Sequence, residues 1–207
     1  MSATDHDTAP TRIHLVRHGT TMLNRLNRYR GRRDVPLDRG GWDDAWRAAN
    51  ELEHVGLTAI YSSPLRRARD TAQIIGDVAG LGRVAELPGL TNLEYGEWEG
   101  MTADEASAHD PVRFEAYQRA ELGTACPGGE PLDLAEERML LSLRTLAALH
   151  PGETVAAVSH AAMVRLAIIG VGAKPRAEWR YALPNGSVTT FDVTDGEIAL
   201  HRLPVAA

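Results

Sequence analysis

The sequence predicts an α/β protein: a three-layer α/β/α sandwich with a mostly parallel central sheet, an antiparallel edge hairpin and a small inserted cap. Short β-branched runs alternate with helical stretches along most of the 207 residues. Two of those runs end at a histidine just before a helix start, and the last two, on either side of Thr194-Asp195-Gly196, alternate apolar and polar residues as hairpin strands do.

Taken in order, residues 1–10 are polar, with no basic stretch followed by an apolar one, and are expected to be a flexible N-terminus and not a secretory signal. Thr11–Arg17 is a β-branched, apolar strand ending at His18-Gly19. Gly40–Val55 is a helix, with Trp42, Ala45, Trp46, Ala49, Leu52 and Val55 at spacings of three and four, and its tryptophan pair is expected in the core. Thr58–Ser62 is a second strand. Ser63 is the expected N-cap and Pro64 the first position of a helix running through Ala68, Ala72 and Ile75 towards Gly80.

Arg83–Leu87 is expected as a third strand. Between Pro88 and Pro131 the pattern loosens into a glycine-rich loop, a helical stretch around Thr102–Leu122 and a Cys-Pro-Gly-Gly turn. That stretch, 88–131, is read as a cap inserted within a single domain of residues 1–207. An amphipathic helix over Leu132–Leu149 follows, then a fourth strand, Thr154–Val158, entering Ser159-His160 and an apolar helix from Ala161. Ser187–Val193 and Glu197–Leu203 form the closing hairpin.

Composition narrows the function classes. Apolar residues at 43% and charged residues at 24% are those of a chain able to bury a sizeable core. The longest apolar stretches fall far short of the roughly 20 residues that span a bilayer, so no membrane partner is expected. A net charge of −6 argues against a generic grip on nucleic-acid phosphates. The single cysteine, Cys126, cannot form an internal disulfide, and no Cys/His cluster with zinc spacing is present, so a reducing, cytoplasmic setting without a structural metal is expected. Nor is there a GxxxxGK[ST] sequence of a nucleotide-dependent kinase. Charge is unevenly placed: eight arginines (12, 17, 25, 28, 30, 32, 33 and 39) fall in the first forty residues, while Lys174 is the one lysine, a pattern that suggests a focused anion site.

Open parallel sheets bind ligands beyond the carboxyl ends of their strands. Arg17-His18-Gly19 and Ser159-His160-Ala161 both occupy that position, beside helix N-termini whose free N–H groups attract anions. Two imidazoles with arginines at such an edge suit a phosphate better than an apolar ligand. For Arg28, Arg32, Arg33 and Arg39 two readings stay open: a solvated basic face, or contacts to substrate carboxylates or additional phosphates.

From Thr11 to Val193 the chain resembles the histidine phosphatase superfamily, which includes the cofactor-dependent phosphoglycerate mutases and many small phosphatases. The resemblance rests on Arg17-His18-Gly19-Thr20-Thr21-Met22-Leu23-Asn24, on Ser63-Pro64-Leu65-Arg66-Arg67-Ala68, on Ser159-His160-Ala161 and on Pro127-Gly128-Gly129-Glu130, in that family's motifs. It implies a phosphatase that needs no metal or other cofactor; low aromatic content and an arginine-lined entrance suggest a small, anionic phosphorylated metabolite as substrate, with a phosphoprotein or a natural-product intermediate as alternatives. His18 would be the nucleophile that forms a phosphohistidine, Arg17 and Arg67 the clamps on the phosphoryl oxygens, and His160 a donor from the far side. Asn24, Arg30, Gly31, Tyr95 and Ala161 would contact substrate, and a homodimer would be ordinary for the family.

One position departs from the pattern. The family's leaving-group acid lies four residues before the glycine of Tyr95-Gly96, where this chain has Asn92. Glu94 is the candidate replacement, because residues 92 and 94 of an extended segment share a face. Without it, alkyl phosphates should turn over slowly, while phenolic, acyl or phosphoramidate groups that leave readily could still react. Two alternatives follow. A mutase-type phosphotransferase is disfavoured because no extra basic, proline-rich segment lies between Thr102 and Pro131, and a non-catalytic phospho-ligand binder is suggested by Asn92 but opposed by the retained histidines and arginines.

Overall fold

The computed structural model describes residues 9–204, so most of the terminus expected over residues 1–10 lies outside the described residues. Strand β1 (Thr11–Arg17) is flanked by β4 (Thr154–Ser159), parallel to it, and by β5 (Val188–Thr194), antiparallel. Beyond β4 lie β2 (Ala59–Ser62) and the two-residue β3 (Ala85–Glu86), both parallel; beyond β5, β6 (Glu197–Arg202) closes the antiparallel edge. The spatial order is β3-β2-β4-β1-β5-β6. The hairpin turns at Asp195 and Gly196, both at positive φ (51° and 81°), which matches the right-handed twist of the strands it joins.

Side-chain alternation along the central strands builds two cores. Ile13 and Leu15 of β1 with Val155 and Ala157 of β4 face one side, against α6 (Leu132–Leu149) and α7 (Ala161–Gly170). Val16, Ala156 and Val158 face the other, against α2 (Arg39–Leu52) and α3 (Arg66–Val78). Helices therefore cover both faces, as a largely parallel sheet requires. A short helix α1 (Met22–Arg25) follows β1, and α4 (Ala103–His109) and α5 (Pro111–Gln118) lie within residues 88–131. The buried side chains of that stretch, Leu90, Leu93, Trp98, Tyr117 and Cys126, join the same core as α6 and α7.

Two expectations are corrected. Trp42 and Trp46 are exposed, at 42% and 51%; α2 buries Gly41, Ala45, Ala48, Ala49 and Leu52 instead. The helix comes so close to the chain after β1 that a Cβ on Gly41 would lie 2.1 Å from the Thr20 carbonyl oxygen, and the stripe is small at that end, widening only at Leu52. Ser63 does not cap α3, which begins at Arg66 after Leu65 with no side-chain cap. Its hydroxyl is used by a buried histidine instead.

Candidate active site

Strand register sets the two histidines side by side. Arg17 of β1 pairs with Ser159 of β4, so the next residue of each chain segment leaves the sheet at neighbouring strand ends. The His18 N–H donates to the Ser159 carbonyl (3.0 Å), and the rings of His18 and His160 meet edge-on at 5.1 Å. Both are buried. The turn after His18 is held from several sides. A Cβ on Gly19 would stand 2.1 Å from the Gly41 carbonyl oxygen, the Gly19 N–H donates to Thr71 Oγ1 (3.1 Å), and Thr20 donates to Asp44 Oδ2 from both N–H (2.9 Å) and hydroxyl (2.5 Å). Asn185 Nδ2 donates to the His18 carbonyl (3.0 Å).

Tautomers follow from the partners. His18 Nδ1 lies 2.6 Å from the Gly19 carbonyl oxygen, which can only accept, so the ring proton sits on Nδ1 and Nε2 keeps a lone pair. Toward that lone pair Arg67 Nε donates at 3.2 Å, while its Nη1 and Nη2 donate to the carbonyls of Arg33 (2.7 Å) and Gly31 (3.0 Å). The Gly31 carbonyl accepts a second bond, from Asn92 Nδ2 (3.0 Å). Ser63 Oγ accepts from the Leu65 N–H (3.3 Å) and stands 2.8 Å from His160 Nε2. The hydroxyl hydrogen is assigned to that nitrogen, which puts the His160 proton on an otherwise unpartnered Nδ1.

The electrostatics are those of an anion site. Burial, then Arg67 and the neighbouring arginines, hold both His18 and His160 well below the usual histidine pKa, so both rings are neutral. Burial and mutual repulsion lower Arg17, Arg30 and Arg67 as well, Arg17 and Arg67 to about 9, which leaves them cationic at neutral pH. Arg17 Nε, Arg30 Nε and Arg165 Nε are buried without a hydrogen-bond partner.

At Arg17 and Ala161, the chain neighbours of the two histidines, opens a pocket of about 390 Å³. Of the residues singled out from sequence, Arg17, Asn24, Arg30, Tyr95 and Ala161 line it; Gly31 gives its carbonyl to Arg67 and Asn92, and His18, His160 and Arg67 are buried behind that lining, the two histidines as chain neighbours of Arg17 and Ala161. Glu94 is not brought into it. Its carboxylate pairs with Arg32 (3.0 Å) at the surface, half exposed, where Arg32 also meets Glu130, and the residue that does reach the pocket is Asn92. Of the early arginines outside that set, Arg28 lines the pocket and pairs with Glu105, Arg33 pairs with Glu99, and Arg39 is exposed. Sequence reasoning missed Ser63, Tyr29, Tyr117, Arg165, Arg180 and Asn185. Arg165 sits five residues after His160 on α7, beyond the Ser159-His160-Ala161 motif; Arg180 and Asn185 lie in an irregular stretch with no periodic signal.

A sequence profile of the histidine phosphatase superfamily, branch 1, matches residues 13–205. The chain is 32% identical over 187 residues to phosphoglycerate mutase-like protein 4 of Arabidopsis thaliana, covering 89% of this chain and 80% of that protein. It is 30% identical over 187 residues to a metal-independent phosphoserine phosphatase of the same plant, covering 89% and 77%. Among solved structures, a phosphoserine phosphatase variant from Entamoeba histolytica in complex with phosphoserine is similar at TM-score 0.81 and 28% identity, over 93% of this chain and 95% of that one.

Proposed function

The chain belongs to the histidine phosphatase superfamily, and we propose that it is a phosphatase that hydrolyses a small phosphorylated metabolite through a phosphohistidine on His18. The observation that carries this reading is the His18 ring, locked by its Nδ1 bond to Gly19 so that Nε2 keeps a lone pair, next to a pocket lined by Arg17, Arg30 and Arg165, whose Nε atoms have no hydrogen-bond partner. His18 Nε2 attacks phosphorus in line. Arg67, which donates to that lone pair in the free protein, passes its N–H to a phosphoryl oxygen, with Arg17 and the His160 Nδ1–H on the others. Water then hydrolyses the phosphohistidine.

Asn24, whose Oδ1 is taken by Thr21, has its Nδ2 amide for substrate, beside Arg30 and Tyr95. Residues 88–131 act as a cap that closes the pocket with Asn92, Tyr95 and Tyr117. Mutase-type transfer is not favoured: Arg113 and Arg119 of the cap are engaged by Asp110 and by Glu115 and Glu121, and neither lines the pocket. The expected cytoplasmic setting rests on the single cysteine, which is buried.

The test is a rapid-quench experiment with radiolabelled p-nitrophenyl phosphate. The expected result is an alkali-stable, acid-labile phosphoenzyme that turns over in the native chain and is absent from His18→Ala. Retention of phosphate without label or turnover would replace this reading with that of a phospho-ligand binder.

A further inference from the structure

Phosphoryl transfer to His18 must leave an oxygen behind, and the pocket shows what awaits it. Among the described residues no aspartate or glutamate lines the pocket; its polar wall is made of arginine, asparagine and tyrosine. Asparagine amides carry no acidic proton, and guanidinium groups keep theirs in proteins. Of the phenols, Tyr117 donates its hydrogen to the Tyr95 oxygen (3.2 Å), and burial pushes Tyr29, which accepts from Arg180 (3.0 Å), and Tyr117 above the ordinary phenol pKa, which leaves Tyr95 as the phenol to be tested. Of the neighbouring carboxylates, Glu94 is held outside by Arg32, Glu99 accepts from the Arg32 N–H and pairs with Arg33, and Glu105 pairs with Arg28. In place of an acid stand Arg30 and Arg165, each with a buried, unpartnered Nε–H, and Arg180 beside them.

Building on the phosphatase reading, we propose that the leaving group departs as an unprotonated oxyanion stabilised by Arg30, Arg165 and Arg180, so that the substrates are phosphoryl donors with acidic leaving groups: acyl, enol or aryl phosphates. In the first step a bond forms between His18 Nε2 and phosphorus while the bond to the leaving oxygen breaks, its electron pair staying on that oxygen. In the second, water adds to phosphorus, the N–P pair returns to Nε2, and both hydrogens of the water leave on dihydrogen phosphate. No proton reaches the leaving group in the pocket. An alkoxide, the base of an alcohol about as weakly acidic as water at pKa 15.7, is a poor departing group on this path, whereas a phenolate or carboxylate, of parent pKa about 10 or 4, needs no acid. The class differs from phosphoserine, the alkyl phosphate for which two of the related proteins are named.

The experiment is a leaving-group series on the full chain: acetyl phosphate, p-nitrophenyl phosphate, phenyl phosphate, glycerol phosphate and phosphoserine, with kcat/KM plotted against leaving-group pKa. A general acid contributes on the order of 10²–10⁴-fold, so the expected result is a steep decline, with alkyl esters at least about 10²-fold below phenyl phosphate. Asn92→Glu should raise the alkyl esters selectively, and Glu94→Gln should leave the whole series unchanged. A flat series in the native chain overturns the proposal, as does a selective loss of alkyl turnover in Glu94→Gln or Tyr95→Phe, which would identify that residue as the acid. If Asn92→Glu fails to fold, the native series still decides. A chain that labels His18 yet hydrolyses alkyl and aryl esters equally loses only this inference; one that neither labels nor hydrolyses any member loses the phosphatase reading itself.

Discussion

Arg67 Nε stands 3.2 Å from His18 Nε2 and donates to the lone pair that must attack phosphorus. The same guanidinium is anchored by two backbone carbonyls, so the clamp is aimed before any anion arrives. Reorganisation on binding is then small, which is what makes preorganised donors effective.

Arg67→Lys keeps the charge and loses the fork. One ammonium cannot serve His18 and the carbonyls of Arg33 and Gly31 together. The expected outcome is a drop in kcat/KM on the order of 10²–10³-fold with a lowered melting temperature, since buried carbonyls lose their donors. Steady-state kinetics and thermal melting check both; a variant with half the native activity would contradict it.

Ser63 is a positioning residue, acting through His160. Ser63→Ala removes the hydrogen bond that favours the neutral ring, so the acidic limb of the pH profile should move up and kcat/KM should fall roughly tenfold, the equivalent of about 1.4 kcal/mol. Ser63→Thr retains the hydroxyl and should restore both. A loss of stability with an unmoved pH profile would assign Ser63 to packing alone.

The close pair Gly19 and Gly41 predicts a steric cost. A methyl at either position runs into backbone oxygen at 2.1 Å, with no flexible side chain to give way. Gly19→Ala or Gly41→Ala should each cost on the order of 3 kcal/mol, roughly 6–12 °C in Tm for a chain of this size. Gly82→Ala, where a Cβ meets open space, should stay within about 0.5 kcal/mol. Calorimetry of the three variants separates the cases.

Stability should decline on mild acidification. His14, His18 and His160 all titrate below their ordinary range, His14 near 4, chiefly through burial and then Arg202 and Arg12. Below about pH 6.5 the unfolded chain takes up protons that the folded chain refuses, so the stability present above that pH is lost as the pH falls. His14 alone accounts for on the order of 3 kcal/mol between pH 6.5 and 4. Melting curves from pH 8 to 4 should show the decline, and His14→Gln should flatten part of it; a Tm independent of pH over that range would contradict the burial of neutral rings.

The floor of the site was legible in the sequence because it is written in strand-to-helix turns, and strand periodicity places those turns. Once β1 and β4 pair in register, His18 and His160 have no freedom to be apart. The walls were not. Arg180 and Asn185 arrive from a stretch without repeat, and Ser63 was read by its helix-start chemistry when a buried imidazole held the stronger claim on its hydroxyl. Trp42 and Trp46 misled for a related reason: periodicity identifies a stripe on α2, but the close backbone contact between Gly41 and Thr20 turns the small residues inward and leaves both tryptophans exposed. Glu94 failed because a shared strand face says nothing about Arg32 waiting outside.

The carbonyl of Gly31 receives both Arg67 and Asn92. A carboxyl placed at position 92 would meet that oxygen, which favours a carboxylic acid carrying its hydrogen, and Arg67 on the same oxygen with Arg17 and Arg30 around the pocket, which favour the carboxylate. Main chain and guanidinium groups thus pull such a residue's proton in opposite directions, and which of them prevails decides whether an acid engineered there could give its hydrogen away.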